Sequence, residues 1–386
     1  MPASDLEIIV GTYEEFLLGY KVLKKENDKF HLVQSFADHS HRASIRSVCA
    51  KGKYLASGSA DESITLYDMK NRKECGILVQ HNGMVNCMLF SPNGSHLLSG
   101  SEDGSIAIFR TGSWQLEKLF PKAHKGEVHP TGKLALTVGT DATLRTWNLV
   151  KGRQAYATNL GKNRTGNGRA VTNILWSPDG NSYVLTIGAE LNVYDVATAG
   201  IVYTIKLDKK ISSVCFTKDT ELAIGDEGGG ISFYSVSEKK QLFVVEAHNN
   251  SRVKCLSCVT VGGKKFLVST SSAGEIKLWK CKVGKLKQIC STNSDCRITC
   301  LVVLVANSDE STLNTEIKEE ITEINNTSNE VKSDKSKRKR RNSEENPDVK
   351  KLKTTQDIEN KGIKSSKKSV SEVVCTRGQK WVVEDL

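Results

Sequence analysis

Histidine, serine or threonine, and aspartate recur in similar order in the first part of the chain. The sets are His41, Ser57 and Asp61; His81, Ser99 and Asp103; and His124, Thr137 and Asp141, the last with Trp147. In a hydrolase such a set acts once, with histidine taking the proton of one accessible serine and aspartate orienting the histidine. Because the set returns in three successive repeats, we interpret these residues as structural networks in which the turn aspartate and the loop histidine are hydrogen-bonded across one unit.

Short strands that end in an aromatic residue followed by a polar one mark the repeats. The marks are Tyr67-Asp68, Phe109-Arg110, Trp147-Asn148, Tyr194-Asp195, Tyr234-Ser235 and Trp279-Lys280. They are 38 to 47 residues apart, close to the roughly 40–45 residues of a WD repeat, which forms one four-stranded blade of a β-propeller. Within each repeat, alternating apolar segments and polar turns predict strands joined by hairpins.

Six marks leave one blade to be supplied by the two ends of the repeat region. The segment 7-EIIVGTYEEFLLGYKV-22 contains two apolar strands, and 297-RITCLVVLV-305 contains one. Pairing them closes the ring and removes exposed sheet edges. The sequence therefore predicts an all-β, seven-bladed WD40 β-propeller over residues 7–305, with the last blade built from both ends.

Two departures from the repeat pattern give further predictions. Gly188, Gly228 and Ala273 stand where blade two has Asp103, so blades four to six should lack the turn network and be locally weaker. The third repeat has only 2 positions from Val128 to Pro130, against 7 in repeats two and four. Blade three should therefore lack about five residues of its inner strand. This reflects either a deletion or an error in the coding model, and the intact flanking pattern favours the error.

Other chemistry finds little support in the sequence. Cys255 and Cys258 form one C-x-x-C pair with Cys296 and Cys300 further on, but these cysteines lie in apolar strands without a histidine pair at zinc-finger spacing, so we expect no metal. The run 228-GGG-230 lies between strands rather than before a helix, and the motifs of nucleotide-binding loops and zinc proteases are missing. We expect a protein that is not an enzyme and uses no cofactor.

The chain resembles the p21-activated kinase-interacting protein family. The segments that carry the resemblance are 10-VGTYEEFLLGYKV-22, 130-PTGKLALTVGTDATLRTWNLVKGR-153, 210-KISSVCF-216, 247-AHNNSRVK-254 and 296-CRITCL-301. A fungal member of this family is a WD-repeat factor in large ribosomal subunit assembly. The resemblance implies a nucleolar protein needed for pre-ribosomal RNA maturation and 60S assembly, and one similar to proteins that bind and restrain p21-activated kinase. The short third repeat and the unusual C-terminal end depart from the family pattern.

Residues 306–386 differ in composition from the repeats. They are rich in polar and charged residues with few aromatics, which predicts a disordered tail. The tail begins acidic, and its end, 373-VVCTRGQKWVVEDL-386, is either a partner-binding strand or a translation artefact. Between them lies a two-part nuclear localisation signal, next to a possible phosphorylation site at Ser343. Its basic residues are Lys335, Lys337, Arg338, Lys339, Arg340 and Arg341, followed by Lys350, Lys351 and Lys353.

These observations leave three hypotheses for function. The first is a nuclear and nucleolar platform for proteins of the pre-60S particle, a monomer within that complex, imported by a receptor that binds the tail. The second is inhibition of p21-activated kinase through its regulatory region. The third is direct binding of pre-ribosomal RNA, favoured by the net charge of +11. No segment has the length of a membrane span or the pattern of a secretory signal, so we expect an intracellular protein without membrane contact.

Overall fold

The computed structural model describes residues 6–24, 29–120, 125–128, 130–138, 143–149, 151–160, 171–198 and 200–305. These residues form 28 β-strands in seven antiparallel four-stranded sheets. None of the described segments forms a helix with the length and apolar character needed to cross a membrane. The all-β, seven-bladed prediction is confirmed. The predictions for residues 306–386 lie outside the described residues.

Six sheets each use four consecutive strands, the first innermost and the fourth outermost. Blades one and two contain β4 (Ile45–Lys51), β5 (Tyr54–Ser59), β6 (Ile64–Asp68), β7 (Lys73–Leu78), β8 (Val85–Phe90), β9 (His96–Ser101), β10 (Ile106–Arg110) and β11 (Leu116–Phe120). Blades three and four contain β12 (Lys125–Val128), β13 (Leu134–Val138), β14 (Thr143–Asn148), β15 (Arg153–Asn159), β16 (Asn173–Trp176), β17 (Ser182–Ile187), β18 (Glu190–Asp195) and β19 (Ile201–Lys206). Blades five and six contain β20 (Ile211–Lys218), β21 (Glu221–Asp226), β22 (Gly230–Ser235), β23 (Lys240–Glu246), β24 (Val253–Val261), β25 (Lys264–Ser271), β26 (Glu275–Lys282) and β27 (Lys285–Asn293).

Blade seven joins the two ends of the repeat region. Its strands are β28 (Ile298–Val305), β1 (Leu6–Thr12), β2 (Leu17–Lys24) and β3 (Phe30–Asp38), in that order across the sheet. Strand β28 pairs antiparallel with β1, with Ile8 opposite Val303 and Val10 opposite Leu301. The inner strand of the blade therefore comes from near residue 300, and the other three strands come from the beginning of the chain.

The hydrophobic core is divided among the seven contacts between neighbouring blades. Seven clusters of buried side chains occur, each made of residues from two adjacent blades. The cluster between blades seven and one contains the fully buried Ile9, Ile45 and Leu55. Because every blade buries apolar area on both sides, the ring is closed by the same kind of packing at all seven joints.

Blade three was predicted to lack about five residues of its inner strand, and the structure gives it an inner strand of only four residues, against six in blade two. Strand β12 pairs with β13, with Lys125 opposite Val138 and Val128 opposite Ala135. In blade two, three residues separate His81 from the start of β8 at Val85. In blade three, β12 begins immediately after position 124, which is equivalent to position 81 in the sequence pattern. The shortage is taken from the loop that precedes the strand, which leaves an inner strand of four residues.

Candidate functional site

The structure brings His41, Ser57 and Asp61 together in blade one. The imidazole Nε2 of His41 lies 2.8 Å from Ser57 Oγ, and its Nδ1 lies 3.1 Å from Asp61 Oδ2. Asp61 also accepts hydrogen bonds from the backbone N–H of Arg42 at 2.8 Å and of Ser63 at 3.0 Å. Burial acts to raise the pKa of Asp61, but the hydrogen bonds from Ser63 and Arg42 outweigh it and lower that pKa. The carboxylate therefore fastens the loop before β4 to the β5–β6 turn.

Blade two repeats the arrangement with one change. His81 Nε2 lies 2.7 Å from Ser99 Oγ, while Nδ1 lies 2.9 Å from Ser105 Oγ and 3.5 Å from Asp103 Oδ2. Asp103 accepts the backbone N–H of Asn82 at 2.9 Å. Burial lowers the pKa of His81, so the imidazole is neutral at physiological pH and its contact with Asp103 is polar rather than a full ion pair.

Only part of the third predicted set can be described. Trp147 Nε1 donates a hydrogen bond to Thr137 Oγ1 at 3.0 Å, and both side chains are buried. His124 and Asp141 lie outside the described residues. The nuclear localisation residues and Ser343 do so as well.

Blade six carries a network that the sequence did not predict. His248 Nε2 lies 2.8 Å from Ser269 Oγ, and Trp279 Nε1 donates to the same oxygen at 2.8 Å. His248 Nδ1 lies 2.7 Å from Glu275 Oε2. Burial lowers the pKa of His248, and the neutral ring therefore donates from Nδ1 to Glu275 and accepts the Ser269 hydroxyl at Nε2.

The expectation that blade six lacks the turn network is thus wrong. Ala273 replaces the aspartate, but the carboxylate is supplied two positions later by Glu275, at the start of β26. The signals that could have found it were His248 shortly before the inner strand and Ser269 ten positions before Trp279, as Thr137 lies ten before Trp147. Neither signal involves the aspartate position.

Blades four and five use other polar contacts at their turns. In blade five, Asp226 Oδ1 accepts the backbone N–H groups of Gly228 at 2.6 Å and Gly230 at 3.1 Å. In blade four, Thr172 Oγ1 lies 2.7 Å from Thr186 Oγ1. Among the described residues of these two blades, no histidine takes part in a turn network.

The geometry of the networks does not suit catalysis. The serine residues that would act as nucleophiles are sealed inside the blades, with exposures of 0% for Ser57, 1% for Ser99 and 0% for Ser269. A substrate carbonyl cannot reach these hydroxyl groups without opening the sheet. Each histidine instead provides buried hydrogen bonds between a loop and the second strand of its own blade, which stabilises the loop.

The C-x-x-C cysteines do not converge on one point. Cys255 and Cys258 lie three positions apart on β24, so their side chains leave opposite faces of the strand. Cys255 Sγ lies 3.8 Å from the carbonyl oxygen of Thr299 in blade seven, whereas Cys258 packs against the cluster between blades five and six. This pair cannot bind a single ion from the same strand face.

Comparison with known proteins places this architecture in a family. The family model "WD domain, G-beta repeat" matches residues 30–68 and 72–110. The Xenopus laevis protein "p21-activated protein kinase-interacting protein 1-like" is 40% identical over 307 residues, which cover 77% of this chain and 82% of that protein. Human "p21-activated protein kinase-interacting protein 1" is 35% identical over 309 residues, covering 77% of each. The chain belongs to the p21-activated protein kinase-interacting protein family.

"Protein MAK11" of Saccharomyces cerevisiae is a more distant relative of this chain. It is 26% identical over 351 residues, which cover 78% of this chain and 83% of the yeast protein. One segment that carries the family resemblance, residues 247–254, contains His248, whose hydrogen bonds hold the loop before β24. Part of the resemblance therefore lies in residues that stabilise a blade.

Proposed function

We propose that this protein is a non-enzymatic WD-repeat scaffold in nucleolar 60S ribosomal subunit biogenesis and pre-rRNA processing. The observation that carries the proposal is membership of a family whose relatives match more than three quarters of this chain, with Protein MAK11 as a more distant relative. The resemblance implies a role in large-subunit assembly. In support, His41, His81 and His248 bind buried serines within their own blades and offer no catalytic site, and a propeller of this kind can bind other macromolecules through its loops and rim.

The partners in this proposal are proteins of the pre-60S particle, bound by a single copy of the propeller. Import to the nucleus and nucleolus is assigned to the tail, whose basic residues between 335 and 353 are suited to acidic grooves of an import receptor. Phosphate on Ser343 would remove about 1.5 to 2 positive charges from that segment and weaken import.

Depletion with replacement tests the proposal. Cells that lack the protein should show a reduced 60S to 40S ratio on sucrose gradients and accumulate precursors of large-subunit rRNA. The intact chain should restore both. A variant with glutamine at the nine basic tail positions should restore them only when a foreign import signal is attached. Normal subunit ratios and normal precursors after complete depletion would refute the assembly role.

A second candidate, restraint of a p21-activated kinase, is favoured by the names of the vertebrate relatives, which describe interaction with that kinase. The mechanism would be occlusion of the regulatory region, since the sequence contains no segment that resembles a kinase substrate bound in the active site. The test is activation of purified kinase by its GTPase in the presence of saturating protein. Unchanged activation would exclude this function and would leave the assembly proposal untouched.

A further inference from the structure

The net positive charge of the propeller is concentrated in the segment from Ser251 to Val305. Between Ser251 and Val305 there are ten basic residues and only two acidic ones, Glu275 and Asp295. The basic residues are Arg252, Lys254, Lys264, Lys265, Lys277, Lys280, Lys282, Lys285, Lys287 and Arg297. Blade six, which contains most of them, therefore carries a large net positive charge.

Five of these lysines lie at one end of blade six. The β24–β25 turn and the β26–β27 turn are at the same end of the sheet, because consecutive strands are antiparallel. Lys264 begins β25, Lys282 ends β26 and Lys285 begins β27. We call Lys264, Lys280, Lys282, Lys285 and Lys287 the lysine cluster.

Within the cluster, like charges face each other across strands. Lys280 is the direct partner of Lys287, and Lys282 is the direct partner of Lys285, in the β26–β27 pairing. Like charges directly opposite each other destabilise a sheet. In the part of the chain that the structure describes, no residue of the cluster forms an ion pair, and all except Lys280, which is half-buried, are exposed.

Basic residues elsewhere on blade six and on its neighbour do form ion pairs. At the other end of the sheet, Arg252 pairs with Glu227 at 2.7 Å and Lys277 pairs with Glu275 at 2.8 Å. On neighbouring blade five, Glu238 is paired with Lys240 at 2.6 Å, and Glu221 is paired with Lys218. At the lysine-cluster end of blade six, by contrast, five lysines lie together without an ion pair to a described residue.

We infer that the lysine cluster binds the phosphodiester backbone of RNA. Protein interfaces are depleted in lysine and depend on tryptophan, tyrosine and arginine, none of which is in the cluster. The tip between β26 and β27 offers only one fully exposed apolar side chain, Val283, which is too little for a protein-binding core. Lysine binds phosphate as a point charge. In the absence of aromatic residues for base stacking, binding is independent of sequence and driven by charge.

This assignment rests on the proposed function in taking a ribosomal precursor as the source of RNA, but its test uses purified full-length protein and a generic duplex. The probe is a fluorescein-labelled 20-base-pair RNA, and anisotropy is measured from low to high KCl. The test variant is Lys282→Gln, Lys285→Gln, Lys287→Gln. The control, Arg42→Gln, Lys206→Gln, Lys209→Gln, removes the same charge from exposed positions at the other end of the ring.

The test variant should bind about tenfold or more weakly at moderate salt, and its plot of log affinity against log salt should be shallower by about 0.9 per lost phosphate contact. The control should keep the affinity and slope of the unmodified chain. Equal binding by the test variant and the unmodified chain would overturn the inference and assign RNA binding to another segment, such as the basic tail. If the test variant binds RNA normally but no longer binds polyglutamate, the inference is overturned and the lysine cluster is assigned to an acidic protein. In either case the depletion experiment would still decide the assembly role.

Discussion

Arg72 of blade one donates two parallel hydrogen bonds to Glu7 of blade seven, from Nη1 to Oε1 at 2.7 Å and from Nη2 to Oε2 at 2.6 Å. Ser35 donates a third hydrogen bond to Oε1 at 2.6 Å. Burial acts to raise the pKa of Glu7, but the hydrogen bonds from Arg72 and Ser35 outweigh it and lower that pKa. Since β1 lies within the blade built from both ends, this pair fastens the closing blade to its neighbour.

Arg72→Ala should destabilise the propeller because it leaves the Glu7 carboxylate buried without its counter-charge. Removal of one partner of a buried pair costs about 3–5 kcal/mol, and since the Arg72 side chain is 38% exposed, we expect about 1–3 kcal/mol here. Urea denaturation measures the change. Lys73→Ala, on the adjacent exposed position, is the control. If both variants unfold at the same urea concentration as the unmodified chain, the pair does not contribute to closure.

Stability should fall in two stages as the pH is lowered. His81 and His248 have lowered pKa values because they are buried, so the unfolded chain takes up their protons first, and stability declines as the pH falls below about 6.5. The pKa values of Glu7, Asp61 and Glu275 are also lowered in the folded state. Their contribution is present above about pH 4 and is lost as the pH falls towards those lowered values. The measurement is the midpoint of thermal unfolding from pH 8 to pH 3. The double variant His81→Gln, His248→Gln should lose the first stage, and an unaltered profile in this variant would contradict the assignment.

Ser269→Ala should destabilise blade six, because its hydroxyl serves both His248 and Trp279. Each buried polar group left without a partner costs about 1–3 kcal/mol, so we expect a total loss of about 2–4 kcal/mol. Hydrogen exchange should show faster exchange in β24–β27 than elsewhere. Ser291→Ala, on exposed β27, serves as a comparison. A loss no larger than that of Ser291→Ala would mean that the hydrogen bonds are energetically neutral.

Gly229→Ala tests the close approach of two loops at the blade-five turn. Gly229 has a φ of +91°, and a Cβ there would lie 1.9 Å from the carbonyl oxygen of His248. Gly263, with a φ of +69° and nothing within 4 Å of its Cβ position, isolates the backbone cost, which is about 1 kcal/mol. Gly229→Ala should lower the free energy of unfolding by clearly more than Gly263→Ala. Equal losses would show that the loops can separate freely.

The lysine pairs of blade six should be a stability defect that a single substitution repairs. Lys287→Glu places an opposite charge across from Lys280 and should raise the free energy of unfolding by about 0.2–1 kcal/mol. The same change at Lys70, in the exposed β6–β7 loop, provides the control for net charge. Failure of Lys287→Glu to exceed Lys70→Glu would indicate that the facing lysines do not repel measurably.

The sequence predicted the ring because its repeating features are local. An aromatic residue at the end of a strand, such as Trp147 or Trp279, marks six units, and the two ends of the repeat region supply the strands that close the ring. Contacts that depend on the whole ring were not predictable in this way. The partners Arg72 and Glu7 are 65 positions apart, and no local pattern links them.

Blades six and three show that the residues of the repeat can vary in position. In blade two, His81 contacts both Asp103 and Ser105, which lie two positions apart in the turn. In blade six the carboxylate stands at the second of these positions, as Glu275, and His248 binds it there. In blade three, β12 forms from residues that follow directly on positions that are loop in other blades, and it pairs with β13. Without an inner strand, the N–H and C=O groups on that edge of β13 would have no partners. In both cases the requirement for hydrogen bonding was kept while the residue positions changed.

The position of β28 inside blade seven also determines when the ring can be completed during protein synthesis. Strand β1 emerges first, and its inner neighbour is encoded nearly 300 residues later, at Ile298–Val305. At 5–20 residues per second, that interval is about 15–60 s. Throughout it, β1 presents an open edge that can pair with the wrong strand. During this interval the newly made chain is therefore more exposed to mispairing than it is after β28 has closed the ring.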